Sequence, residues 1–320
     1  MKARFSLFAA LCAFFVLLTA SGRVIDSSRY GLRLCAELIV PSLFPFFVAT
    51  GLLRRLGLPE LLGRCLAPLA ARLFSVSGQG ASALLVGLTG GYPMGAAYVS
   101  ELTEEGRVSA EEGERLLAFC NNSGPAFILG AVGLGAFGSV KAGLLLYAAH
   151  ILAALLGGLL LCRGRGTADT QLPEAQAEAL PFSQALTEAV RQAVVSTLSV
   201  CGFVVCFTVF AGLLEAGGFL TALSAFLQRL TSQPQPWCRA LLLGLVELGG
   251  GVGAMRGLPV TPENLALAAF LLGWGGVSVQ FQTLALLSDS KLKGALHLAG
   301  RLVSGIFGSL LAYALGLLLC

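Results

Sequence analysis

The sequence predicts an all-α, polytopic integral membrane protein built from two inverted-topology repeats, each interrupted by a broken or re-entrant helix. Three observations lead there. Of 320 residues, 56% are hydrophobic and only 12% charged, against roughly 25% charged in soluble domains, and the mean hydropathy is +0.83. Breaks interrupt the apolar runs at Gly90, Gly91 and Pro93, at Gly124 and Pro125, and at Gly275 and Gly276. Finally, the two halves resemble each other. A break frees backbone amides and carbonyls that lipid cannot satisfy, so each must face protein or a wet cavity.

Residues 1–22 form an N-terminal apolar helix. It reads as a cleaved signal peptide, since Thr19-Ala20-Ser21-Gly22 is small and polar, or as a retained anchor. Residues 23–162 form the first membrane repeat. Within it, 21–37 is polar and amphipathic, and Leu38 to Leu53, with Pro41 and Pro45, crosses to Arg54, Arg55, Arg64 and Arg72. Such arginines mark the cytoplasmic side. Residues 59–74 then lie along the interface, with Leu61, Leu62, Leu66 and Leu69 at helical spacing. Ala81 to Ser100 crosses back, and the acid-rich loop from Glu101 to Glu114 falls outside. Leu116 to Gly138, broken at 121–125 and again at Gly133 and Gly135, reads as a re-entrant hairpin. Ala142 to Cys162 crosses inward to Arg163 and Arg165.

Residues 163–188 are the one extended polar linker, placed in the cytoplasm, and 189–320 form the second repeat. There Ala189 to Leu214 crosses outward and Phe219 to Leu230 is interfacial. Trp237 to Met255 crosses inward to Arg256, Leu265 to Leu287 is broken at its glycines, and Gly294 to Leu319 crosses outward. His150 to Gly157 can be laid on Arg301 to Gly308 at one constant offset, which also places Phe119 on Phe270 and Gly124 on Gly275. Leu84 to Leu88 matches Leu241 to Leu245 at a slightly larger one. Three crossings per repeat invert the second copy, and put Arg256, Lys291 and Lys293 inside. Inverted repeats with matched broken helices point to a binding site near the midplane.

The candidate site takes its residues from those breaks. Asn121, Asn122 and Ser123 offer amides and a hydroxyl suited to a polar solute or a cation; the alternative is capping of the helix ends beside Pro125. Glu247 is a carboxylate in an apolar segment, which by default signals an ion or proton site; the alternative is a structural pair with Arg256. Ser278, Gln280 and Gln282 follow the matching break and face the Asn pair across the pseudo-two-fold axis, or serve as ordinary interhelical bonds. His150 reads as a proton relay or as packing, and Tyr92 and Trp274 as cavity walls or as filling. No zinc spacing, phosphate loop, HExxH or GxSxG motif is present, and Ser123 with His150 lacks an orienting third group, so no enzyme, cofactor or metal is expected. The nine cysteines form no CxxC pair and read as small reduced core residues, and a net charge of +4 is small for a nucleic-acid partner.

Gly91 to Ala96, Glu114 to Phe127, Gly130, His150 and Gly273 to Gln282 together resemble the YlbJ-type sporulation integral membrane proteins. That family is similar to a wider group with the nucleoside-recognition or Gate domain, which includes concentrative nucleoside transporters. The resemblance implies a multi-pass protein in the cell membrane of a sporulating bacterium, forespore or mother cell, linked to spore cortex formation, and association into a homo-oligomer. The expected role is transport of a small polar solute, with H+ or Na+ as the candidate coupling ion, by rocking or gating of the repeats in the lipid bilayer. The alternative is a non-transporting scaffold or assembly factor that recruits partners through the linker or the acidic loop.

Overall fold

A computed structural model describes residues 2–162, 180–288 and 290–319, and all of its regular structure among these is helical. Helix α1 (Lys2–Thr19) ends where the small polar residues begin. Helix α2 runs unbroken over Ser21–Arg55, so the crossing expected to start at Leu38 begins a half-length earlier. A π-turn over Cys35–Ile39, closed by Val40 N to Cys35 O, absorbs the mismatch just before Pro41, because proline removes a ladder donor and crowds the preceding turn. Helix α3 (Leu58–Phe74) turns by 95° into α4 (Gly78–Gly90). Its exposed face carries Leu61, Leu62, Leu66 and Leu69, as expected of an interfacial helix.

Helix α4 and helix α5 (Met94–Glu104) form a hairpin, and this corrects the expected crossing from Ala81 to Ser100. The arms are roughly 20 and 17 Å long, short of a hydrocarbon core of about 30 Å. Ser82 Oγ meets Tyr98 OH across the arms at 3.4 Å. At the feet, Ser77 donates from its backbone N and its Oγ to Glu112 Oε1 at 2.7 Å each, and Arg107 reaches Gln79 Oε1 at 2.5 Å. Both feet therefore stand at one end of the molecule.

The crossing is instead the next segment, helix α6 (Ala110–Leu117) and the π-helical α7 (Ala126–Ala136), so the predicted re-entrant hairpin at Leu116 to Gly138 is a broken span. Its only interruption is 118–125, and Gly133 and Gly135 lie inside α7. Helix α8 (Val140–Cys162) returns to the first-hairpin end, where Cys162 Sγ meets Arg115 O at 3.5 Å.

The second repeat copies this order. Helix α9 (Phe182–Ala216) opens inside the range read as linker, and residues 163–179 of that linker lie outside the described residues. Helix α10 (Phe219–Thr231) is the second interfacial helix. Helices α11 (Gln235–Val246) and α12 (Leu248–Ala254) are a second hairpin, replacing the expected crossing from Trp237 to Met255. Helices α13 (Pro262–Trp274) and α14 (Gly276–Leu287) are the second broken span, and α15 (Ala295–Leu319) closes the chain. The copy extends to backbone detail. Gly57 and Gly218 precede the interfacial helices at φ 81° and 73°, and Ser75 and Ser232 follow them at φ 55° and 58°, a left-handed conformation uncommon outside glycine.

Hydrogen bonds also establish the inversion. Trp237 Nε1 donates to Glu263 O at 3.5 Å and Gly257 N to Ala136 O at 3.4 Å, so the first broken span ends where the second begins, beside the second hairpin's feet. The second broken span ends where Gly294 N donates to Glu114 Oε1 at 3.1 Å, back at the first hairpin. The long helices oppose each other likewise. Leu180 N donates to Arg55 O at 3.3 Å at one end, and Arg239 pairs with Glu215 at 2.5 Å at the other. Each repeat thus traverses three times, by its long, broken and final helices.

Two expected placements change with this geometry. The acidic loop lies with the arginines, since Glu101 pairs with Arg54 and Arg107 with Glu60 at 3.2 Å. Arg256 lies at the second-hairpin end, opposite Lys291 and Lys293. Acidic content is a weak guide to sidedness, and hairpins misread as spans shift the count.

Cysteines placed at exposed Lys293 and Arg256 in a cysteine-free background should take up an impermeant thiol reagent from opposite faces of oriented vesicles. Labelling of both from one face would refute this topology. A Cβ on Gly87 would lie 1.5 Å from Cys120 O, so Gly87→Ala should destabilise by about 1–3 kcal/mol or more through overpacking. Gly202→Ala, where nothing lies within 4 Å, should leave the melting midpoint of the detergent-solubilised protein unchanged.

Candidate functional site

Four interruptions meet in the interior: the tips of both hairpins and the gaps in both broken spans. Gly91, at the first tip, has φ 81° and so close an approach that a Cβ would sit 2.7 Å from Gly124 N in the first gap. The next peptide, Tyr92-Pro93, is cis. Gly276, bordering the second gap, packs against the second tip, its Cβ position 3.0 Å from Leu248 N. Tyr92 ties the pairs together, donating its OH toward Leu272 O at 3.1 Å and Gly273 O at 3.3 Å. The carbonyls freed by the second gap are thus met by a phenol from the first hairpin.

The asparagines and Ser123 sit at the first gap, wholly buried. Asn121 Oδ1 accepts from Ala96 N at 3.3 Å, and its Nδ2 donates to Thr283 Oγ1 at 2.9 Å. Asn122 Nδ2 donates to Phe119 O at 2.6 Å, while its Oδ1 accepts from Arg301 Nη1 at 3.0 Å. Ser123 N donates to His150 Nε2 at 3.1 Å, and Ser123 Oγ donates to Leu272 O at 3.2 Å. The serine hydroxyl faces a carbonyl and the histidine accepts a backbone amide, so the two form no nucleophile–base pair.

Glu247 forms the second tip. It ends α11 at φ −144° and caps α12, its carboxylate oxygens accepting Gly249 N at 2.9 Å and Gly250 N at 2.5 Å. This satisfies the charge without Arg256, because amides at a helix N-terminus favour an anion. Trp274 Nε1 donates to Leu245 O at 3.1 Å just before the tip. Gln280 Nε2 donates to Trp274 O at 2.7 Å, and Gln282 Nε2 to Ser278 Oγ at 3.3 Å. The glutamines do not pair with the asparagines, and the Oε1 atoms of both are buried without a partner.

A cavity of about 40 Å³ lies among these parts, walled by Tyr92, Ser123, Gly124, Glu247 and Gln282 together with apolar side chains of α2 and α9. That is room for one or two waters. A wider cleft of about 460 Å³, lined by Arg23, Asp26, Tyr30, Glu215, Arg239 and Gly250, shares Glu247 with it. The tip of the second hairpin is therefore the partition between the inner cavity and a polar cleft at the second-hairpin end.

Arg301, whose only part in the sequence comparison is as the residue matched to His150, belongs to this site. It is 0% exposed and bonds Tyr92, Asn122 and Ala118. The signal is legible in the sequence, since a charge within an apolar span marks a functional position by the same argument as Glu247. His297, 3.3 Å from Leu117 O, carries the same signal as His150, a histidine within an apolar span, whereas Thr283 carries none.

No protein-family profile matches the chain. Its fold is that of the concentrative nucleoside transporter CNTnw. A variant of that protein in an intermediate state superposes with a TM-score of 0.60 at 14% identity, over 98% of this chain and 84% of that one. An inward-facing, substrate-bound state of CNTnw gives 0.57 at 14% identity over the same shares. By sequence, the chain is 31% identical to the sporulation integral membrane protein YlbJ of Bacillus subtilis (strain 168), over 93% of this chain and 80% of the relative. A match of that depth over nearly the whole length places the chain in the YlbJ family of sporulation integral membrane proteins.

Proposed function

We propose that the protein moves a small polar solute across the membrane of the sporulating cell, in support of spore cortex formation. The observation that carries this is the meeting of four chain interruptions around a cavity partitioned from an open cleft by a single carboxylate-bearing tip. Interruptions of this kind are costly in lipid and are kept where backbone groups serve a solute. In this reading Ser123, Glu247 and Gln282 face the solute, and Asn121, Asn122, Ser278 and Gln280 hold the gaps open to it. The unpartnered Gln280 and Gln282 oxygens are acceptors available when the cavity widens. Glu247 is the candidate carrier of a coupling proton.

The same reading makes residues 23–162 and 189–320 two halves of one nucleoside-recognition (Gate) unit, joined by a cytoplasmic linker and assembled as a homo-oligomer. One observation favours a non-transporting scaffold instead: the side chains of Asn121, Asn122 and Ser123 all have protein partners in this closed arrangement.

Thermal unfolding in detergent against nucleosides, cell-wall precursors, amino acids and metal ions separates the two. A ligand at a hundredfold its Kd should stabilise the native protein by about 2.7 kcal/mol, and Gln282→Leu should remove most of that shift. Silence across the panel, with both proteins folded, favours the scaffold. Solute uptake into vesicles should depend on pH in the native protein, and Glu247→Gln should abolish that dependence. A Glu247→Gln protein with the native pH profile would sink the assignment of Glu247 as proton carrier.

A further inference from the structure

The four-interruption centre contains a guanidinium. Arg301 lies within α15, wholly buried, and no Asp or Glu among the described residues comes within ion-pair distance of it. Its partners are neutral oxygens of three chemical kinds: Ala118 O at 3.2 Å, Asn122 Oδ1 at 3.0 Å and Tyr92 OH at 3.1 Å. The Tyr92 ring centroid lies 5.9 Å from the guanidinium carbon. The backbone is shaped to let the arginine in. Its neighbour Gly300 sits so close to the gap that a Cβ there would lie 1.9 Å from Ala118 O.

A neutral donor would satisfy those oxygens at far lower desolvation cost, because a charge inside a membrane is expensive and a buried guanidinium without a carboxylate is more so. What the oxygens do suit is a cation. Ala118 O is a carbonyl just past the end of half-helix α6, where the helix dipole is negative. Carbonyls at unwound half-helix ends, with oxygen side chains, are the donor set by which broken-helix transporters hold a coupling cation. The opposite lip of the same gap has the opposite polarity and the matched residue: His150 accepts the Ser123 amide. The repeat-related pair thus serves the two lips, a donor at the carbonyl lip and an acceptor at the amide lip.

We propose that the Arg301 guanidinium is a tethered substitute for an alkali cation at the first gap, so that this protein neither binds nor needs Na+ or K+ there. The proposal rests on reading this centre as a transport site, but its test measures cation binding and does not require that any solute be found.

Purified protein is unfolded thermally in NaCl, KCl or choline chloride at fixed ionic strength. The native midpoint should be the same in all three. Arg301→Ala empties the oxygen cage, and its midpoint should rise by several degrees, saturably, with Na+ or K+ but not with choline. Arg301→Lys retains a tethered cation and should ignore the salts as the native protein does. If Arg301→Ala cannot be recovered folded in choline, recovery on adding alkali salt supports the proposal in the same way. Saturable alkali stabilisation of the native protein would overturn it. So would a folded Arg301→Ala protein indifferent to every salt, or an Arg301→Ala protein unrecoverable in all salts alongside an unfolded Arg301→Lys.

Discussion

Every unusual feature of this molecule follows from one constraint: a backbone amide or carbonyl inside a bilayer has to be met by protein. Four interruptions of helix would be intolerable singly, and they become tolerable because each answers another. The carbonyls before the second gap are met by Tyr92 from the first tip and by Ser123 from the first gap. The carbonyl before the second tip is met by Trp274 from the second gap. The mutual arrangement demands close approach, and glycine is what permits it. Gly87 and Gly95 both lie where a Cβ would collide with Cys120 O, and Gly251 packs in the same way on Gly244 within the second hairpin.

Charge is distributed by the same logic. The two charged side chains at this centre, Glu247 and Arg301, are not paired with each other, and each is held by backbone groups of the polarity it needs. Amides at a helix start favour an anion and a carbonyl at a helix end favours a cation, so each side chain has polar partners without an ion pair. Ionic pairing is instead concentrated at the feet of the first hairpin, where Glu60, Arg107 and Gln79 tie it to α3. The second hairpin is tied among the described residues by Arg239 with Glu215. The halves match in outline and differ in which side chains anchor their hairpins.

Much of this was legible in the residues. The internal match of His150 with Arg301 and of Gly124 with Gly275 gave the repeat, and the break residues named the gaps and one hairpin tip. What could not be read was which interrupted segment returns on itself. The runs around Pro93 and around Pro125 both look like broken spans, and only arm length and the Ser77–Glu112 bond tell a hairpin from a crossing. The site was legible as composition but not as pairing. Nothing in the order of residues says that Asn121 would find Thr283 and Asn122 would find Arg301, partners far along the chain that are brought in by α14 and α15.

Because each repeat traverses three times, it begins at one end of the molecule and finishes at the other, and Cys162 and Leu180 lie at the same end. A tandem copy of such a unit is therefore inserted upside down with no extra span and no change of its own residues. The antiparallel two-fold that brings both repeat-related positions to the first gap is an outcome of parity, while the donor at one lip and the acceptor at the other belong to the side chains. Divergence then had only to alter side chains: the position that holds His150 in one copy holds Arg301 in the other.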